Sequence, residues 1–201
     1  TRIPYPLLPE NRTYQLMVTA SIGDQNERIS HTAVLYFPPL SQSPLITSDV
    51  DTQLRRHLFL HLVSSDSTFV ITPGNWMVRQ SIVLPSGYRL SISEGTTLRF
   101  AADALLTVHG AITAHGTVEA PIILEGLPDK NGERSSWPGI VVMRAEQISE
   151  WSHVSVRNTA GILTNGWGLT GGVTFYRSDV NMIHCTFSGN WAEDALNIIH
   201  S

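Results

Sequence analysis

The sequence predicts an all-β protein whose main part is a right-handed parallel β-helix, a solenoid in which short strands stack one turn upon the next. Two alignments and one alternation carry this. Gly172–Ser178 lines up with Ala195–Ser201 at an offset of 23 residues, and the earlier Gly139–Ala145 fits the same frame at an offset of 33. Within the frame, the apolar pairs Ile140/Val142, Val173/Phe175 and Leu196/Ile198 occupy alternate positions, so each pair falls on one face of a strand. A period in the twenties with one short strand at a fixed place is how a solenoid is written, because each turn buries its apolar face only against its neighbours. The surplus in the longer interval fits a loop, and residues 161–171, with four glycines, supply it. A left-handed β-helix is the alternative. Thr107–Ile112 is followed by the similar Thr113–Val118, a hexapeptide repeat, but two units are too few to build that fold.

The chain opens with a β-hairpin. Tyr14, Leu16 and Val18 alternate with other residues, Ile22–Asn26 supplies a turn, and Ala33, Leu35 and Phe37 alternate again. A lone hairpin is marginally stable, so residues 1–38 are expected to be the C-terminal hairpin of a fibronectin-type or immunoglobulin-like sandwich whose remainder precedes them. Residues 39–47, rich in Pro and Ser, form the linker. In residues 48–67, Ser48 is placed to cap a short helix with Val50 and Leu54 on one face, and Leu58, Leu60 and Leu62 then switch to strand periodicity. This segment is the cover that the first turn of a solenoid requires.

Residues 68–201 are assigned to the parallel β-helix. Short apolar runs, Phe69–Ile71, Ile82–Leu84, Leu90–Ile92 and Leu98–Phe100, are separated by tight turns at Pro85–Gly87 and Glu94–Gly95. Leu84 and Leu106, like Leu90 and Ile112, are 22 residues apart and are expected to pair. The chain ends on a strand, so the β-helix is expected to be truncated at its C-terminus, with further turns and neighbouring domains in a longer parent chain.

Composition narrows the function. A formal charge of −4 argues against general nucleic-acid affinity, and no apolar run approaches the length of a membrane helix, so neither a nucleic-acid partner nor membrane insertion is expected. Cys185 is the single cysteine and reads as a structural thiol alternating with Phe187. The sequon Asn11–Thr13 has meaning only in a secretory eukaryotic host.

The segments Ile82–Gly87, Glu94–Phe100, Trp137–Ile140, Leu169–Tyr176 and Glu193–Ile199 give residues 76–201 a resemblance to the pectin-lyase-like right-handed β-helix superfamily, and within it to β-helix segments of large exported bacterial proteins. The resemblance implies an extracellular or cell-envelope location and a surface that meets polysaccharide. It also sets a test for catalysis. Superfamily hydrolases share an Asn-Thr-Asp strand motif and an Asp-Asp pair, which provide the two carboxylates that cleavage of a glycosidic bond needs. This chain has Asn158-Thr159-Ala160 and no Asp-Asp. Superfamily lyases set calcium-binding acids beside an Arg or Lys base, and Glu193-Asp194 with Arg177 is the closest approach here; a solvated turn is the plainer explanation.

One row of residues stands out in the repeat. Arg144, Arg177 and His200 occupy the same position in successive copies, just after Met143, Tyr176 and Ile199. Stacked cations need acids beside them or an anionic ligand across them. Glu146 and Asp179, two residues after each Arg, are the local candidates for neutralisation. Arg144, Tyr176, Arg177 and His200 are therefore the expected ligand-binding residues, with Trp167, in the long insertion, as an added aromatic contact. His109 and His115 read as corner histidines rather than zinc ligands, and His153 and His184 as a stacked pair, so no metal or cofactor is expected. The function that follows is a non-catalytic module binding an acidic polysaccharide or a protein partner. A polysaccharide lyase or epimerase acting on uronate polymers, with part of its site beyond residue 201, and a structural spacer are the alternatives.

Overall fold

The computed structural model describes residues 16–22, 25–33, 49–130, 132, 135–164 and 167–200. The chain divides into two compact units, residues 1–39 and 40–201. In the first, β1 (Leu16–Ile22) pairs antiparallel with β2 (Gln25–Ala33), from Leu16 opposite Ala33 to Ile22 opposite Gln25, with a shift of register between Ala20 and Ile22. Gln25 and Asn26, expected in the turn, thus belong to the second strand. Tyr14, Leu35, Phe37, the sequon, the 39–47 linker and Ser48 lie outside the described residues.

The second unit opens with α1 (Val50–Arg56). Its N-cap is Asp49 rather than Ser48: the Asp49 carboxylate accepts from the Thr52 N–H at 2.9 Å, and the Thr52 hydroxyl first, then this N–H, hold its pKa down. Val50 and Leu54 pack on the core as their spacing predicts. The following strand is shorter than the leucine pattern suggests, since β3 (Leu60–Val63) excludes Leu58, which is 84% exposed.

From there the chain is all strand. In order come β4 (Thr68–Ile71), β5 (Gly74–Val78), β6 (Ile82–Leu84), β7 (Arg89–Ile92), β8 (Thr96–Phe100), β9 (Leu106–Val108), β10 (Ile112–His115), β11 (Ile122–Gly126) and β12 (Ile140–Met143). They continue through β13 (Ser149–Ser152), β14 (Val154–Arg157), β15 (Ile162–Thr164), β16 (Trp167–Leu169), β17 (Gly171–Tyr176), β18 (Val180–Ile183), β19 (Thr186–Ser188) and β20 (Asp194–Ile199). Apart from the antiparallel hairpin of β15 and β16, strands from β4 onward enter three sheets in rotation. The first sheet has the order β18-β13-β10-β7-β4-β3, the second β19-β14-β11-β8-β5 and the third β20-β17-β12-β9-β6. Neighbours in each are parallel except β3 against β4. Both founding offsets hold: Val173 lies opposite Leu196 and Ile140 opposite Val173.

One expected pairing does not hold. Leu84 lies opposite Val108, not Leu106, whereas Leu90 does lie opposite Ile112. The chain is two residues longer between β8 and β9 than between β5 and β6, and gives both back at the next corner, so circuits of equal total length are out of phase within.

Alternation explains the core. Phe69, Ile71, Leu84, Leu98, Phe100, Leu106, Ile140, Val142, Val173 and Phe175 are fully buried in one cluster between the sheets. Trp137 stacks on Phe100 with ring centroids 4.0 Å apart and donates its indole N–H to the Arg157 carbonyl at 2.8 Å, so its one polar atom is satisfied inside. Gly139, at φ 119°, precedes β12 where a Cβ would run into the Gly172 carbonyl, which lets adjacent circuits close up. The insertion expected as an open loop is instead the β15–β16 hairpin, and Ile162 and Leu169 pack with Leu105, Val141 and Met143 in a second, small cluster on the outer side of the third sheet. No helix among the described residues is long and apolar enough to cross a membrane.

Candidate ligand-binding site

Strands of the third sheet end alike. Met143, Tyr176 and Ile199 stand in register at the ends of β12, β17 and β20. The next residues, Arg144, Arg177 and His200, take left-handed backbone with φ of 50°, 50° and 57°. Such a conformation costs energy in an L-residue, and hydrogen bonds between circuits help to offset it: the Arg144 N–H donates to the Tyr176 carbonyl at 2.8 Å and the Arg177 N–H to the Ile199 carbonyl at 2.9 Å. The bend carries the chain from the third sheet to the first and leaves all three side chains exposed, repeating every ~4.8 Å.

Within this row the Arg177 guanidinium carbon lies 5.6 Å from the centre of the Tyr176 ring, and the His200 ring meets Tyr176 edge-on at 5.8 Å. The expected neutralisation by direct contact is absent: neither Arg144 nor Arg177 forms an ion pair with a described acid, Glu146 and Asp179 included. Arg177 thus stands over the Tyr176 ring in a cation–π contact and makes no ion pair with a described acid.

Arg144 also lines a cleft of about 420 Å³ that extends the row towards earlier circuits, with Asp66, Tyr88, Arg89, His109 and Gln147 around it. Arg89 is held in place: its Nη2 donates to the Asp66 carbonyl at 2.9 Å, with the Asp66 carboxylate at 3.6 Å, and its Nη1 donates to Gln147 Oε1 at 3.0 Å. Glycine makes room there, for a Cβ at Gly110 would collide with the Tyr88 carbonyl. None of Arg89, Asp66 and Gln147 was predicted from the sequence. Pairing Leu84 with Val108 rather than Leu106 would have brought Tyr88 and Arg89 to the same corner as Arg144.

Trp167 is not in the row. Its backbone lies in β16, paired with β15 rather than with the third sheet, and its side chain falls outside the described part of the structure. Glu193 and Asp194 are not beside Arg177 either: Asp194 lies opposite Gly171 at the start of β17, the length of the strand away, roughly 17 Å at ~3.3 Å per residue. Asn158-Thr159-Ala160 serves structure, since the Thr159 hydroxyl donates to Asn190 Oδ1 at 2.9 Å and its carbonyl accepts from the Trp191 N–H at 2.7 Å.

The histidines separate. His109 is at the cleft, whereas His115, at the end of β10, has Nε2 3.5 Å from Glu150 Oε2 on the first sheet. His153 and His184 do stack, with ring centroids 4.8 Å apart. Among the described residues no group of three or more His, Cys, Asp or Glu could hold a metal ion. Cys185 is free and half-buried, and burial pushes its thiol pKa up, so it is a poor nucleophile. Trp137 and Trp151 are core residues and Trp76 packs on Phe59, while Trp191 is 80% exposed.

No protein-family model, curated protein or solved structure matches this chain. The corner offers cations, hydroxyls and the rings of Tyr176 and Tyr88 along an open surface, with the carboxylates of Asp66 and Glu146 in the cleft. Cations beside aromatic rings are groups that an anion and a sugar face can meet.

Proposed function

We propose that residues 68–200 form a right-handed parallel β-helix that binds an acidic polysaccharide along the corner between its third and first sheets, as a non-catalytic module of an exported, multidomain protein. The rotation of parallel strands through three sheets supports the solenoid, and its hand follows from the strong preference of parallel crossovers for the right-handed sense. A resemblance of residues 76–201 to the pectin-lyase-like superfamily agrees with it.

The observation that carries the binding is the row of Arg144, Arg177 and His200, stacked in one backbone conformation with no ion pair to an acid among the described residues, beside the Tyr176 ring. Arg grips carboxylates in bidentate fashion, and a tyrosine ring packs on the apolar face of a sugar. Across the cleft the guanidinium of Arg89 is fixed by Gln147 and by Asp66, which also partly offsets its charge. Calorimetry at low salt against polygalacturonate and alginate tests this. Both should bind, the affinity should fall on adding salt, and a neutral glucan should be indifferent to Arg177→Ala. A folded protein that binds neither polymer would leave the row as ordinary surface and favour a structural spacer.

A further inference from the structure

The corner between the first and second sheets has a stack of its own. The chain turns at His153, between β13 and β14, and at His184, between β18 and β19, with φ of 49° and 54°. The His153 N–H donates to the Ile183 carbonyl at 3.1 Å, and the two rings stand 4.8 Å apart, tilted by 36°. They open on a cleft of about 530 Å³ whose walls include Thr117, Ser155, Arg157, Thr186 and Ser188. No residue of the Arg144–His200 row takes part.

The charges on this side do not cancel. Arg157 reaches Glu125 Oε2 with Nη1 at 3.8 Å and donates from Nε to Ser155 Oγ at 2.9 Å, while the same Glu125 carboxylate accepts from Arg99 at 2.9 Å. Two guanidiniums share one carboxylate, so the track Arg99–Glu125–Arg157 keeps a net positive charge, with Arg157 at the cleft. The four hydroxyls of Thr117, Ser155, Thr186 and Ser188 add neutral donors around it.

The two imidazoles differ in what they can do. His153 Nδ1 is sealed from solvent and has no partner. A positive charge on His153 would require an N–H on that nitrogen, buried and unanswered, and so would a metal ion bound through Nε2. His184 is exposed and meets no such obstacle. The remaining groups around it are the Cys185 thiol, kept neutral by burial, and Glu119, exposed on the loop from Thr117 to Pro121 that walls the cleft. A proton taken up by His184 thus adds one charge at the mouth of the cleft, near the permanently charged Arg157.

We propose that the His153–His184 cleft binds an oxyanion, the carboxylate or sulfate group of a glycan or a free anion of the same chemistry, more tightly as His184 takes up a proton. The chain then has two anion-binding corners: one whose permanent charges are arginines, the other gated by histidine.

Imidazole proton NMR of the full chain between pH 5 and 8, with inorganic sulfate and sodium glucuronate as probes, decides it. Each probe should raise the midpoint of His184 and leave exposed His61 and His115 in place, because a ligand that prefers the charged form raises its pKa. Sulfate affinity should be roughly tenfold higher at pH 5.5 than at pH 8, the size of one charge-assisted hydrogen bond. His184→Asn should flatten this dependence; asparagine accepts the left-handed backbone, as Asn158 does at φ 63°. Arg157→Gln should weaken binding at this cleft at every pH, and the shift read at His184 should persist in Arg177→Ala whatever that substitution does to polymer binding, which separates this site from the polysaccharide track. A response to glucuronate alone assigns the cleft to sugar carboxylates, and a response to both probes assigns it to oxyanions in general. Equal shifts of all exposed histidines, no shift of His184, or a His184→Asn protein that keeps its pH dependence would each overturn the proposal.

Discussion

Phe175 and Ile198 are paired in register on adjacent strands of the third sheet, and both point to the same side, yet Phe175 is fully buried and Ile198 is 52% exposed. The contrast recurs in the other sheets: Val156 is buried while its partner Phe187 is half-buried, and Trp151 is buried while Met182 is half-buried. Phe175 has strands on both sides, β12 and β20, whereas Ile198 has only β17. At the opposite end of the stack, Phe69 and Leu84 are fully buried although they belong to the first circuit, because β3 and α1 lie over them; Gln53 of α1 even reaches in to accept the Val83 N–H at 3.1 Å. The alternation of a strand decides which residues turn inward. How far they are buried is decided by the neighbours above and below.

That difference should be measurable as stability. Phe175→Ala removes a ring packed on all sides and against the edge of Trp151, and should cost about 3–5 kcal/mol. Phe187→Ala makes the same chemical change at an inward position of the last described circuit, where water already reaches part of the ring, and should cost about half as much. Urea denaturation of the two variants supplies the comparison. Equal losses would mean that the last circuit is as well packed as the centre.

A smaller effect tests the covered end. His57 is buried between α1 and β3 and donates from Nε2 to the Ser81 carbonyl at 3.4 Å. Burial pushes its pKa below 6.5, with Arg56 acting in the same direction and the Ser81 bond opposing. The sign follows from proton counting. Below pH 6.5 the unfolded chain protonates this histidine and the folded chain does not, so its contribution to stability is complete above that value and declines as the pH falls towards the depressed folded value. Urea midpoints at pH 7.5 and 5.5 should differ less in His57→Gln than in the parent protein. An unchanged difference would show that the cover over the first circuit is open to water.

Much of this architecture was legible because a parallel ladder writes one pattern repeatedly. The offsets that join Ile140, Val173 and Leu196, the row of Arg144, Arg177 and His200, and the His153–His184 stack all follow from one frame. One strand that escaped notice, β13, has polar Glu150 and Ser152 outward and only Trp151 as an apolar residue inward, so period and hydrophobicity both fade. The clasp on Arg89 escaped for another reason: Asp66 and Gln147 lie 23 and 58 residues away, and two residues moved from one corner to the next hid the register that joins them. The β15–β16 hairpin looked like a loop because its glycines are conspicuous and its packing residues, Ile162 and Leu169, are few.

The smallest expected effect compares the same two circuits on their outer surface. Arg177 is exposed and forms no ion pair with a described acid, so Arg177→Ala should leave the urea midpoint within error of the parent protein. Its loss should lower the affinity for polygalacturonate about three- to tenfold at low salt, and the deficit should shrink as salt is added. His200 holds the same corner position one circuit later, but it packs edge-on against Tyr176 and carries no permanent charge. His200→Asn keeps the backbone conformation and should cost about twofold or less under the same low-salt conditions. If the two substitutions matched, permanent charge would not be what the row contributes, and the Tyr176 ring that both residues touch would be left as the binding element.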